Sequence, residues 1–126
     1  VEEANAALPQ VRRLVERIVE RFALLPELQE ETRIADYKTS RPNAGPEVEQ
    51  EYEKARRAMH DAEPELAEDA LRLERLGVSL KDPQTGLIDF YSYREGELAE
   101  LCWKLGEDAI GNWHRIGEGY AGRRPL

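Results

Sequence analysis

Apolar residues fall at Ala4, Leu8, Val11, Val15, Ile18, Phe22 and Leu25, at alternating steps of four and three. That is a seven-residue repeat, the seam of a helix packed along another helix. Leu14, Val19 and Leu28 widen the stripe, so the helix touches more than one neighbour. Pro9 and Pro26 each lack a backbone donor and predict a kink near one of them. The polar stretch from Asp36 to Pro46 reads as a loop. A second helix starts near Pro46, since proline suits a first helical position. Its stripe is Val48, Tyr52, Ala55, Met59, Ala62 and Leu66, after which the phase passes to Ala70, Leu73 and Leu76. A bend around Pro64 would account for that slip, and Gly77 is the stop. Two matching seams joined by one loop predict an antiparallel helical hairpin.

From Gly77 onward the pattern changes to alternation punctuated by turns. Arg94 to Glu97 reads as a tight hairpin that pairs Phe90 with Leu101 and Ile88 with Trp103. Asp82 to Gly86 closes another, setting Leu80 opposite Ile88 and Val78 opposite Phe90. Gly106 to Ala109 closes a third, setting Trp103 opposite Asn112 and Leu101 opposite His114. Together these registers put Val78, Leu80, Ile88, Phe90, Ala99, Leu101, Trp103, Leu105, Ile110 and Ile116 on one face. The expected fold is α+β, a long antiparallel helical hairpin packed on one face of a small four-stranded antiparallel meander. It forms one domain over residues 1–126, with the hairpin in 1–77 and the sheet and tail in 78–126.

Charge narrows the partners. The formal net charge is −8, from 26 acidic and 18 basic residues, which argues against nucleic acid. The longest apolar run, Phe22 to Leu25, is far short of the roughly 20 residues a membrane helix needs. The single cysteine, Cys102, allows no intrachain disulfide and suits a reducing, cytoplasmic setting. No signal-peptide pattern opens the chain, and because it begins at Val1, further residues are expected before it.

The same registers place two polar residues, Asn112 and His114, on the otherwise apolar face, where an unpartnered polar group costs a few kcal/mol. The plain reading is a core histidine bonded to a helix carboxylate or a backbone carbonyl. The sharper one is a proton carrier or metal ligand at the rim, with partners drawn from Glu3, Asn5, Asp89, Glu107 or Arg123. Cys102 is expected on the opposite face beside Asp89 and Trp113, which disfavours a Cys102–His114 nucleophilic pair. Arg123 and Arg124 read as a solvated basic pair, and His60 as surface decoration. With no zincin pair, cysteine cluster or calcium loop, no metal and no cofactor is expected.

Longer stretches carry a resemblance. Glu2-Glu3-Ala4-Asn5 with Leu8-Pro9 is similar to the opening of the bacterial domain-of-unknown-function family 2203. Gly86, Leu87, Asp89 and Phe90 fit the strand before its C-terminal signature. Cys102 to Glu107, Trp113-His114, Gly119, Gly122-Arg123 and Pro125-Leu126 resemble the signature itself. The resemblance spans the chain and implies no activity. Two classes of function follow from the residues. One is a non-catalytic binding or assembly module; the other is a small enzyme or ligand-binding or metal-binding domain around His114, with an unknown small-molecule ligand. The first is favoured, with self-association as a homodimer. A first helix of roughly 45 Å exceeds a sheet of roughly 19 by 23 Å, so Phe22, Leu24, Leu25, Leu28 and Ile34 call for cover from a second hairpin.

Overall fold

The computed structural model describes residues 1–126. Two helices, α1 (Glu2–Thr39) and α2 (Pro46–Arg75), precede five strands. These are β1 (Val78–Asp82), β2 (Leu87–Arg94), β3 (Glu97–Lys104), β4 (Asn112–Arg115) and β5 (Arg124–Pro125), with a 3₁₀ turn at Tyr120–Gly122. The strands pair in chain order as one antiparallel sheet. The fifth strand corrects the expected four. Arg124 lies opposite Trp113, and the Leu126 amide donates to the Gly111 carbonyl. Pro125 is tolerated there because an edge strand has no outer neighbour to receive its missing donor.

The helices run longer than the pattern suggests. α1 continues through Asp36 to Thr39, leaving only residues 40–45 as the loop. The hydroxyls of Thr39 and Ser40 donate to the Asp36 and Tyr37 carbonyls at 2.7 and 2.6 Å, satisfying acceptors that a helix end leaves open. Pro9, Pro26 and Pro64 all lie within uninterrupted helix on exposed positions. Nor does the second seam slip at Pro64. Leu66, Asp69, Leu73 and Leu76 continue the steps of three and four, with a carboxylate standing at one seam position. Asp69 is 1% exposed and lies 3.6 Å from Arg17 Nε and 3.5 Å from Arg72 Nη1. An apolar-only count skips it, whereas a single paired polar residue in a seam fixes register.

The chain gathers into two compact units, residues 1–19 with 69–126, and residues 20–68. In the second, the helices are tied by Arg21–Glu65 at 3.4 Å and Lys38–Glu51 at 3.5 Å around buried Ala35, Ala55 and Ala62. Phe22, expected in the seam, is 37% exposed. In the first unit, Leu8, Val11, Val15 and Ile18 of α1 are buried with Ile88, Phe90, Leu101 and Trp103 of the sheet. Gly86 lets the β1–β2 turn approach α1 closely: its φ is +75°, and a Cβ there would lie 2.7 Å from Leu105 Cβ and 2.9 Å from Val15 Cγ1.

The β1–β2 and β2–β3 registers are as expected, with Val78 opposite Phe90 and Phe90 opposite Leu101. The β3–β4 register is not. Leu101 faces Trp113 and Glu100 faces His114, one residue away from the expected pairing. The connection is no tight hairpin but a seven-residue excursion, residues 105–111, fastened from outside. Arg12 Nη2 donates to the Asp108 carbonyl at 2.9 Å, and the Ile110 amide donates to Asn5 Oδ1 at 3.0 Å. Turn geometry therefore does not set this register. A one-residue shift exchanges the faces of a whole strand, so Trp113 takes the Leu101 side and His114 the opposite one. Ile110 is buried from the loop, while Ile116, expected on the apolar face, is 50% exposed.

Candidate functional site

Alternation along β2, β3 and β4 sends Asp89, Glu100, Cys102 and His114 to the sheet face opposite Ile88, Phe90, Leu101 and Trp103. Asp89 is directly across from Cys102, and Glu100 from His114. A register shift between Leu80 and Asp82 leaves Lys81 in a bulge of β1, a device that re-aims a side chain. Gly117 and Gly119, with φ of +88° and +69°, let the chain turn back beside this face. Lys81, Leu87, Asp89, Glu100, His114, Gly117, Gly119 and Tyr120 line a cavity of about 270 Å³.

Four ionisable side chains are buried here: Asp89, Glu100, Cys102 and His114 are 1–5% exposed. His114 Nδ1 lies 2.9 Å from the Arg115 carbonyl, and Nε2 lies 3.0 Å from Asp89 Oδ1. A carbonyl only accepts, so Nδ1 carries a hydrogen, and an imidazolium satisfies both contacts. Burial pulls the His114 pKa down, but the Arg115 carbonyl and the bond and charge of Asp89 outweigh it and hold it above the usual value. Burial, then the hydrogen bond and charge of Asp89, push the Glu100 carboxyl up. Its Oε2 is buried without a hydrogen-bond partner, with Lys81 Nζ 4.0 Å away. Burial, then the charge of Asp89, raise the Cys102 thiol to about 11. Cys102 is therefore a thiol at neutral pH, and His114 Nε2 is engaged by Asp89. An activated cysteine nucleophile needs the reverse of both.

Among the expected site residues, His114 and Asp89 come together, but on the face away from α1, not on the apolar face. Asn112 is half-buried opposite Cys102. Glu107 and Arg123 form an ion pair of their own, and the second Glu107 oxygen accepts from the Lys104 amide at 2.7 Å. Arg123 also lies over the Tyr120 ring at 4.7 Å, and its side chain is 14% exposed, which corrects the expected solvated pair. Asn5 serves the Ile110 amide and Glu3 is exposed, while the His114 ring nitrogens are engaged by Arg115 and Asp89 instead. Cys102 lies beside Asp89 as expected but shares its face with His114, against the expectation that the two stand on opposite faces, and Glu100, Lys81 and Tyr120 join the site unforeseen. Asp89, Cys102 and His114 offer a carboxylate oxygen, a sulfur and an imidazole nitrogen, all within 4.8 Å of one another, and are the residues that could hold a metal ion. The sequence signal for this site is weak: Glu100 and Cys102 alternate with Ala99, Leu101 and Trp103 in β3, and only the structure shows that both sets are buried.

Comparison with known proteins places the chain in one family. The model of DUF2203, described as an uncharacterized conserved protein, matches residues 1–126, the whole chain. No curated protein and no solved structure matches.

Proposed function

The chain belongs to the DUF2203 family of uncharacterised conserved proteins, and we propose that it is a non-catalytic binding module whose small ligand seats over Asp89, Glu100 and His114. One observation carries this reading: Glu100 Oε2 is buried, with no hydrogen-bond partner, beside a cavity that Lys81, Asp89 and His114 also line. An unsatisfied buried polar atom costs about 1–3 kcal/mol, and a bound group that completes it explains its retention. The cavity of about 270 Å³ has room for an ion or a small polar molecule. The protonated Cys102 thiol and the engaged His114 favour binding over catalysis. Native mass spectrometry of the purified chain should retain a small species that His114→Ala releases while circular dichroism stays unchanged. A bare parent mass, with no small ion or metabolite raising the melting temperature, would overturn the reading.

Self-association is a second reading, favoured by Phe22, Leu24, Ile34 and Tyr37, which are 37–63% exposed. At about 100° per residue these positions spread round more than half of α1, so one flanking helix cannot cover them and a helix pair from a second copy can. Light scattering at micromolar concentration should give twice the mass of one chain; the mass of a single chain would sink it.

A further inference from the structure

Resting on the pocket reading above, we propose that Asp89, Cys102 and His114 bind one divalent transition-metal ion of the zinc class, with the cavity on its open side. The first argument is the donor set. A thiolate, an imidazole and a carboxylate together suit a borderline ion, whereas calcium and magnesium call for oxygen ligands throughout. The second is geometry. Metal–donor bonds of about 2.0–2.3 Å place tetrahedral donors roughly 3.3–3.8 Å apart. Here Asp89 Oδ1 and His114 Nε2 are 3.0 Å apart, and all three donors lie within 4.8 Å. Side-chain rotation on a fixed sheet closes that difference.

The third argument is the second shell. A metal-bound histidine almost always donates its other ring N–H to a carbonyl or carboxylate. His114 Nδ1 is so placed against the Arg115 carbonyl, which turns Nε2 toward Asp89. The hydrogen between Nε2 and Asp89 stands where a cation would stand. Glu100 Oε2, buried without a hydrogen bond and 4.0 Å from Lys81 Nζ, is a second feature of the same cavity that a bound group would complete. Binding would release the Cys102 thiol proton and the His114 Nε2 proton to solvent, leaving a thiolate and a neutral imidazole on the ion.

The test uses the full chain stripped with a chelator and titrated with Co²⁺ alone, then with Zn²⁺ as competitor. One equivalent of Co²⁺ should produce a thiolate-to-cobalt charge-transfer band, and Zn²⁺ should displace it. Cys102→Ser should abolish the band and weaken Zn²⁺ binding about 100-fold or more, since even a second-shell loss costs 10–100-fold. Glu3→Gln should change nothing. No saturable Co²⁺ binding, or binding without a thiolate band, would overturn the proposal; the parent spectrum alone decides this even if Cys102→Ser does not fold. A parent that retains an organic species in native mass spectrometry but binds neither ion overturns the metal and leaves the pocket reading standing. Failure of both retires both.

Discussion

Ile88 and Asp89 are neighbours in β2, yet they serve opposite faces built on different physics. On the α1 side, Ile88 and Trp103 are fully buried among apolar residues, where each Å² withdrawn from water contributes roughly 25 cal/mol. On the other side, Asp89, Glu100 and His114 are buried almost as deeply, and the removal of their polar atoms from water opposes folding unless they are paired. The first face is what any sheet under a helix requires. The second needs its pairings to be tolerated at all, and the ligand reading proposed above rests on the one oxygen there, Glu100 Oε2, that makes no hydrogen bond.

The comparison can be broken at its apolar end. Trp103→Ala should cost about 3–5 kcal/mol in urea denaturation, the loss of a large core side chain. It also deletes the Nε1 bond to the Glu107 carbonyl at 3.0 Å. A loss near 1 kcal/mol would mean that α1 does not hold this face. On the polar side, Asp89→Asn should cost about 3 kcal/mol, because a buried charge loses its partner. An ornamental surface pair would cost under about 1 kcal/mol, and that result would dissolve the distinction between the faces.

Legibility follows the same division. The two hairpin-like registers were readable because Asp82–Gly86 and Arg94–Glu97 are local turns, and local turns fix pairing. The face of His114 was not readable, because its strand is set by Asn5 and Arg12, about a hundred residues away in sequence. Asp69 escaped for a different reason: it sits at a seam position but is polar, and its pairing with Arg17 shows only when two helices are side by side. His114 stood out through an expected register that proves one residue off, and Asp89 as a carboxylate that could serve it. Their contact depended on a register that chemistry could not supply.

That dependence gives a smaller test. Asn5→Ala removes the acceptor of the Ile110 amide and should cost about 1 kcal/mol, the usual value of one part-buried hydrogen bond. The amide resonances of residues 105–111 should shift most. If small-ligand or metal retention fell while the fold held, Asn5 would belong to the site after all, and the loop would be more than a fastening.

The smallest expected effect lies at the β1–β2 turn, next to the bulge that carries Lys81 toward the cavity. Asp82 Oδ1 accepts from the Gln84 amide and Oδ2 from the Thr85 hydroxyl, both at 2.9 Å. These bonds, the Gln84 amide first, hold its pKa below the usual 3.8. A carboxyl whose folded value is depressed stabilises the fold above its unfolded value, and that contribution is lost as pH falls through the folded value. The parent should therefore keep its turn at pH above 3.8 and loosen it on further acidification. Asp82→Asn should be insensitive to pH over that range, since it cannot titrate. Amide chemical shifts of Gln84 and Thr85 followed by NMR report this directly. An identical pH response in parent and variant would assign the acid sensitivity elsewhere and leave the bulge without this anchor.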